Sequence, residues 1–109
     1  MHKTIDELAK SIKTSHKLSE SEKKECLAQV ETIRHELSDL EHAHADKAKH
    51  IATKVHKATH SALKTPRNAD DVELTSTGLE RSIEEFEVSH PRLYETVKAW
   101  AIRLTGLGV

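Results

Sequence analysis

A chain of 109 residues with 36% hydrophobic side chains and three aromatics, Phe86, Tyr94 and Trp100, has material for one domain and a thin core, so association with a partner is expected to supplement burial. A formal charge of -1 with 32% charged residues excludes a general basic nucleic-acid binder and an acidic disordered tail alike. The single cysteine, Cys26, excludes an internal disulfide framework and fits a reducing compartment. With neither the apolar stretch of a secretory signal nor a run of transmembrane length, a cytoplasmic protein is expected.

A short N-terminal helix is expected over 1–17, because Thr4 and Glu7 have capping-box spacing and Ile5, Leu8, Ala9 and Ile12 share one face. Ser19 and Glu22 repeat the capping pattern and open a long helix over 19–64. The segment Glu20 to Leu63 contains no Gly, Pro or aromatic residue and holds six of the nine histidines. Its apolar positions, Cys26, Val30, Ile33, Leu37, Leu40, His44, Ala48, Ile51, Val55, Ala58 and Ala62, recur at steps of three or four. They fall in a stripe about 80° wide, close to a coiled-coil seam, on a helix that runs roughly 65 Å if continuous.

Residues 65–75 supply breaker chemistry, with Pro66, Asn68, Asp70 and Asp71, and form the expected connection between the two halves. In the C-terminal segment, 76–109, Ser76 or Thr77 is expected to cap a helix carrying Leu79, Ile83 and Phe86. Ser89, His90 and Pro91 then break and restart it, since proline fits the first helical turn. Leu93, Val97, Trp100, Ala101 and Leu104 form the last apolar face, and Gly106 is placed to end it in a left-handed conformation. The fold class is therefore all-α and single-domain, with the C-terminal helix folding back over part of the seam.

Charge on the long helix is polarised. Glu20 to Glu41 carry seven acids and three bases, whereas His42 to Lys64 carry one acid and five bases. An antiparallel partner sets each acidic half beside a basic half, so the expected assembly is an antiparallel homodimer through Val30, Ile33, Leu37, Leu40, His44, Ala48, Ile51 and Val55. The dyad then falls near His44, a register residue or else a pH-sensitive or intersubunit metal contact. The alternative is a break between His42 and Asp46 that folds the segment on itself. The absence of Gly and Pro there favours continuity.

Opposite the seam, His35, Asp39, His42, Asp46 and His50 follow at spacings of four, three, four and four, and His56 and His60 continue four apart. Imidazoles at i and i+4 converge on a helix and suit zinc, nickel or copper, which makes His35, His42, Asp46, His50, His56 and His60 the candidate ligands. The same ladder works as a solvated face of weak ion pairs, and nine histidines generate such pairs readily. Glu41 with His44 and Glu87 with His90 match Glu-x-x-His, a number of matches close to chance for this composition.

Cys26 on the seam reads as a small buried hydrophobe, and no phosphate loop, nucleophile elbow or zinc-protease motif is present. A basic stripe, Lys49, Lys57 and Lys64 with His50, His56 and His60, has the chemistry to touch phosphates or an anionic surface, although no aromatics interleave with it for base stacking. No specific nucleic-acid partner follows.

The run Phe86-Glu87-Val88-Ser89-His90-Pro91-Arg92-Leu93, with Leu79, Ile83 and the closing Leu104, Gly108 and Val109, resembles the C-terminal part of bacterial domain-of-unknown-function family 4404. That resemblance implies a short bacterial helical protein and brings no activity with it. The expected role is a non-enzymatic interaction or scaffold protein that self-associates through its long helix and needs no cofactor. A histidine-rich metal-binding or pH-responsive protein is the alternative.

Overall fold

The computed structural model describes residues 1–107 and is all-helical over that span, so Gly108 and Val109 of the family-like tail lie outside the described residues. Its elements are α1 (His2–Thr14), α2 (Glu20–Ala43), α3 (Ala45–Leu63), α4 (Ala69–Ile83), a 3-10 turn (Glu84–Phe86) and α5 (Pro91–Gly106). None of these helices is long and apolar enough to cross a membrane. The all-α class and the C-terminal helix that breaks and folds back are borne out.

α1 starts at His2 and has Met1, not Thr4, at its cap, so the first expected capping box does not form. The second does. The Glu22 backbone N–H donates to Ser19 Oγ at 3.1 Å and the Ser19 N–H donates to Glu22 Oε1 at 2.9 Å. The Ser19 backbone N–H foremost, and the Ser19 hydroxyl beside it, hold the Glu22 carboxyl below the usual carboxylate range.

The expected continuous helix over 19–64 does not form. His44 leaves the helical region at φ -141°, ψ 66°, yet its N–H still donates to the Leu40 carbonyl at 2.8 Å and its carbonyl accepts from Ala48 N–H at 3.0 Å. One residue therefore makes the hinge. Continuity would save a few backbone hydrogen bonds, worth about 1 kcal/mol each. Folding at His44 buries Val30, Ile33, Leu37, Leu40, Ile51 and Val55 to within 1% of complete, and each such side chain contributes about 1.5–3 kcal/mol. Packing wins over propensity.

This outcome also overturns the expected dimer seam. Val30, Ile33, Leu37, Leu40, Ala48, Ile51 and Val55 are buried inside one chain, while His44 is exposed at the hinge. An antiparallel neighbour is supplied internally, since Leu18 and Glu22 at the head of α2 lie beside the end of α3 at Ala62 and Leu63, although no ion pair joins the two helices among the described residues.

α4 begins at Ala69, well before the expected cap. Asn68 Oδ1 accepts from the N–H groups of Asp70 and Asp71 at 2.9 and 3.1 Å, and those two aspartates occupy the first turn, where a carboxylate suits the positive helix end. Ser76 is consequently a mid-helix core residue, and its buried hydroxyl has no hydrogen-bond partner among the described residues. At the far break Pro91 does occupy the first turn of α5, behind His90. That helix ends without a left-handed residue, since Leu107 is extended at φ -69°, ψ 131° and its N–H reaches the Arg103 and Leu104 carbonyls.

α3 is the central helix, packed against all four others. Its buried face is largely small, Ala48, Ala52, Ala58 and Ala62, which lets its neighbours approach closely. The bulk comes from α5, where Trp100 is fully buried and its indole N–H donates to Thr59 Oγ1 at 3.0 Å. The Thr59 hydroxyl in turn donates to the Val55 carbonyl at 2.8 Å.

Candidate interaction face on the third helix

Because the small residues of α3 turn inward, its outward surface is left to the long polar ones. Lys49, His50, Lys57, His60 and the capping Lys64 are exposed, with Lys54 and His56 half-buried at the flanks. Asp46 is the one carboxylate on α3. The neighbouring α4 and 3-10 turn are the reverse, carrying Asp70, Asp71, Glu73, Glu80, Glu84 and Glu85 against the single base Arg81. Two ion pairs join these opposed strips, Lys47 to Glu85 at 2.8 Å and Lys64 to Asp71 at 3.9 Å. Lys49, Lys54 and Lys57 make no ion pair among the described residues.

Two hollows open beside this face. One of about 460 Å³ lies toward α4 and is lined by His56, Lys57, His60, Ser61, Asp71 and Thr75. The other, about 290 Å³, lies where α1 and α3 end and shares His60 with the first. Its lining is not a sequence pattern: Ser15 and Lys17 meet Lys64 and Thr65 only through the packing of α1 on α3.

The candidate metal ligands are not brought together. The hinge at His44 cuts their ladder, leaving His35 and His42 on α2 and Asp46, His50, His56 and His60 on α3. His35 Nε2 stands 3.8 Å from Asp39 and lines a separate hollow with Arg92 and Glu95 of α5. Among the described residues no three His, Cys, Asp or Glu side chains converge as a metal site requires.

His44 has a packing role that the sequence did not signal. Its ring lies 6.3 Å from that of Phe86, and His90 meets the same ring edge-on at 5.5 Å. The Lys47 ammonium stands 5.6 Å over the Phe86 ring. The histidine of each Glu-x-x-His match thus stands at a helix hinge beside one phenylalanine. Cys26 is fully buried, and burial pushes its thiol up, away from the thiolate a nucleophile needs.

No protein-family model matches the chain, and neither curated proteins nor solved structures include a significant match to it.

Proposed function

We propose that this is a non-enzymatic helical interaction protein that docks an acidic partner surface on the outward face of α3. The observation that supports this most is the concentration of Lys49, Lys54, Lys57 and Lys64 with three histidines beside one carboxylate, on the element at the centre of the fold. Lys49, Lys54 and Lys57 make no ion pair among the described residues, like charges held side by side repel one another, and an acidic partner relieves that repulsion while steering association. The apolar seam is occupied by the core, and the exposed large hydrophobics Leu74, Val88 and Ile102 stand on different elements. What remains for recognition is electrostatic.

A second copy of the chain, presenting its acidic α4 strip, is one partner of this chemistry, so self-association stays within the proposal through charged faces in place of the seam. Membership of family 4404 and a reducing, cytoplasmic setting belong to the same reading and add no activity to it.

The test is calorimetric titration with a poly-glutamate peptide. Binding is expected at 50 mM salt, falling at least tenfold at 300 mM as screening shortens the reach of the charges, and lost in Lys49→Glu/Lys57→Glu. Equal binding by that variant, or none by the wild type at low salt, contradicts the proposal.

A further inference from the structure

The hollow between the ends of α1 and α3 is built differently from the rest of the face. Its lining contains no carboxylate and combines His16, Lys17, His60 and Lys64 with hydroxyl groups, Ser15 and Thr65 among them. The hydrogen-bond census decides what such a lining wants. Ser15 Oγ accepts the Lys17 backbone N–H at 3.2 Å, which leaves its own O–H to donate. Lys17 Nζ donates to the Lys64 carbonyl, using one of three N–H groups. His16, His60 and the Thr65 hydroxyl have no partner among the described residues. Among those residues one carboxylate reaches these cations, Asp71 at 3.9 Å from Lys64 Nζ, beyond hydrogen-bond range.

The competing explanation is that cations gather here because two helices end here. Each helix C-terminus carries roughly half a negative charge, and Lys17 on the Lys64 carbonyl answers that need. It leaves the two imidazoles and the two hydroxyls unaccounted for, and the Lys64 ammonium with only the distant Asp71 carboxylate. Donors from two chain segments therefore line one hollow whose lining offers them no carboxylate.

We infer that this hollow is a binding site for a phosphate monoester group, held by Lys17, Lys64, His16, His60 and the hydroxyls of Ser15 and Thr65. A dianion with three terminal oxygens meets several of these donors at once, where a carboxylate offers two acceptor atoms and a single charge. Since His60 and Lys64 belong to both surfaces, the inference rests on the electrostatic reading of α3 and names the chemistry of its partner more narrowly.

The test follows backbone amide shifts of the full chain during titration with inorganic phosphate at constant ionic strength set by chloride. Saturable shifts at Ser15, Lys17 and Thr65 are expected, with a midpoint on the order of 1–10 mM. Lys17→Gln/His60→Gln, both at exposed positions, should weaken binding at least tenfold while the remaining amides keep their shifts. Ser15→Ala should weaken it by about fivefold, and Lys24→Gln on α2 should leave it unchanged. Linear shifts, or equal midpoints in wild type and double variant, overturn the site.

Two further arms identify the source of the phosphate. Flotation with phosphatidylcholine vesicles containing phosphatidic acid, tenfold above phosphatidylcholine alone, assigns a lipid headgroup. Equal partition with saturable binding of glycerol 3-phosphate assigns a soluble ester. Binding of poly-glutamate without saturable phosphate shifts removes this site and keeps the α3 reading; the opposite pair of results does the reverse.

Discussion

Two helical hairpins make up most of this protein, and each turns at a histidine. In the first, α2 and α3 meet at His44 with φ -141° and ψ 66°; in the second, α4 and its 3-10 turn meet α5 at His90 with φ -137° and ψ 67°. The backbone solution is the same. Its cause is not. At His90 the following Pro91 excludes the preceding residue from the helical region and starts the next helix, so the turn is written locally. At His44 there is no Pro or Gly, and the turn exists because two apolar stripes bury more when folded together than when strung along one helix. The cores differ as well, with Trp100, Leu104 and Phe86 filling the second hairpin and alanines lining α3 in the first.

The largest test removes the bulk of the second hairpin. Trp100→Ala should cost about 3–5 kcal/mol, much of the stability of a domain this size, and urea unfolding should show a transition that begins without denaturant. The first hairpin should fail the opposite way: Ala58→Leu, at a fully buried position, forces bulk into a close approach and should cost about 1–3 kcal/mol.

Local determinants carry smaller effects. Ser19→Ala removes the box at the head of α2 and should cost about 1 kcal/mol in thermal unfolding. It should flatten the acid limb of stability only in part, because the Ser19 backbone N–H from which the Glu22 carboxylate chiefly accepts survives the substitution. With its pKa depressed in the folded state, Glu22 contributes above the usual carboxylate range and loses that contribution as pH falls through the folded value.

Transplanting the second hinge onto the first sharpens the comparison further. Ala45 is the first residue of α3, as Pro91 is of α5, so Ala45→Pro should be neutral or stabilise by up to about 1 kcal/mol. In an unbroken helix the same change costs about 3 kcal/mol. The smallest effect lies at alkaline pH. Burial raises the Cys26 pKa, so its stabilising contribution is complete below the usual thiol range and declines as pH rises above it. Cys26→Ala should abolish that decline, and the wild-type thiol should resist disulfide reagents until the chain unfolds.

The apolar spacing identified most of the buried residues of α2 and α3, missing Ala52 and Thr59 and wrongly including His44, and the Ser19 and Glu22 pair identified where α2 starts, because both signals are local. The spacing could not say what they are buried against. A seam on a long helix and the two halves of a hairpin have the same periodicity, and only the sum of burial over the chain separates them. Asp70 and Asp71 were misread as breakers for a related reason, since an acid in the first turn and an acid in a loop look alike until Asn68 is seen to cap them.

The basic stripe on α3 was legible as a candidate surface, as each member projects from one helix. The metal ladder is divided between α2 and α3 because it was laid across His44. The phosphate-shaped hollow could not be read at all: Ser15 and Lys17 are far from Lys64 and Thr65 in sequence and meet only when α1 packs on α3.

The hinge at His44 is tested most directly by a distance between spin labels at Ser21→Cys and Lys57→Cys in a Cys26→Ala background, diluted with unlabelled protein so that only distances within one chain are read. A hairpin holds both labels within a molecule whose longest dimension is 37 Å, and the distribution should centre below that value. A peak near 54 Å, the span of about 36 helical residues at 1.5 Å each, would mean one continuous helix and contradict the fold described.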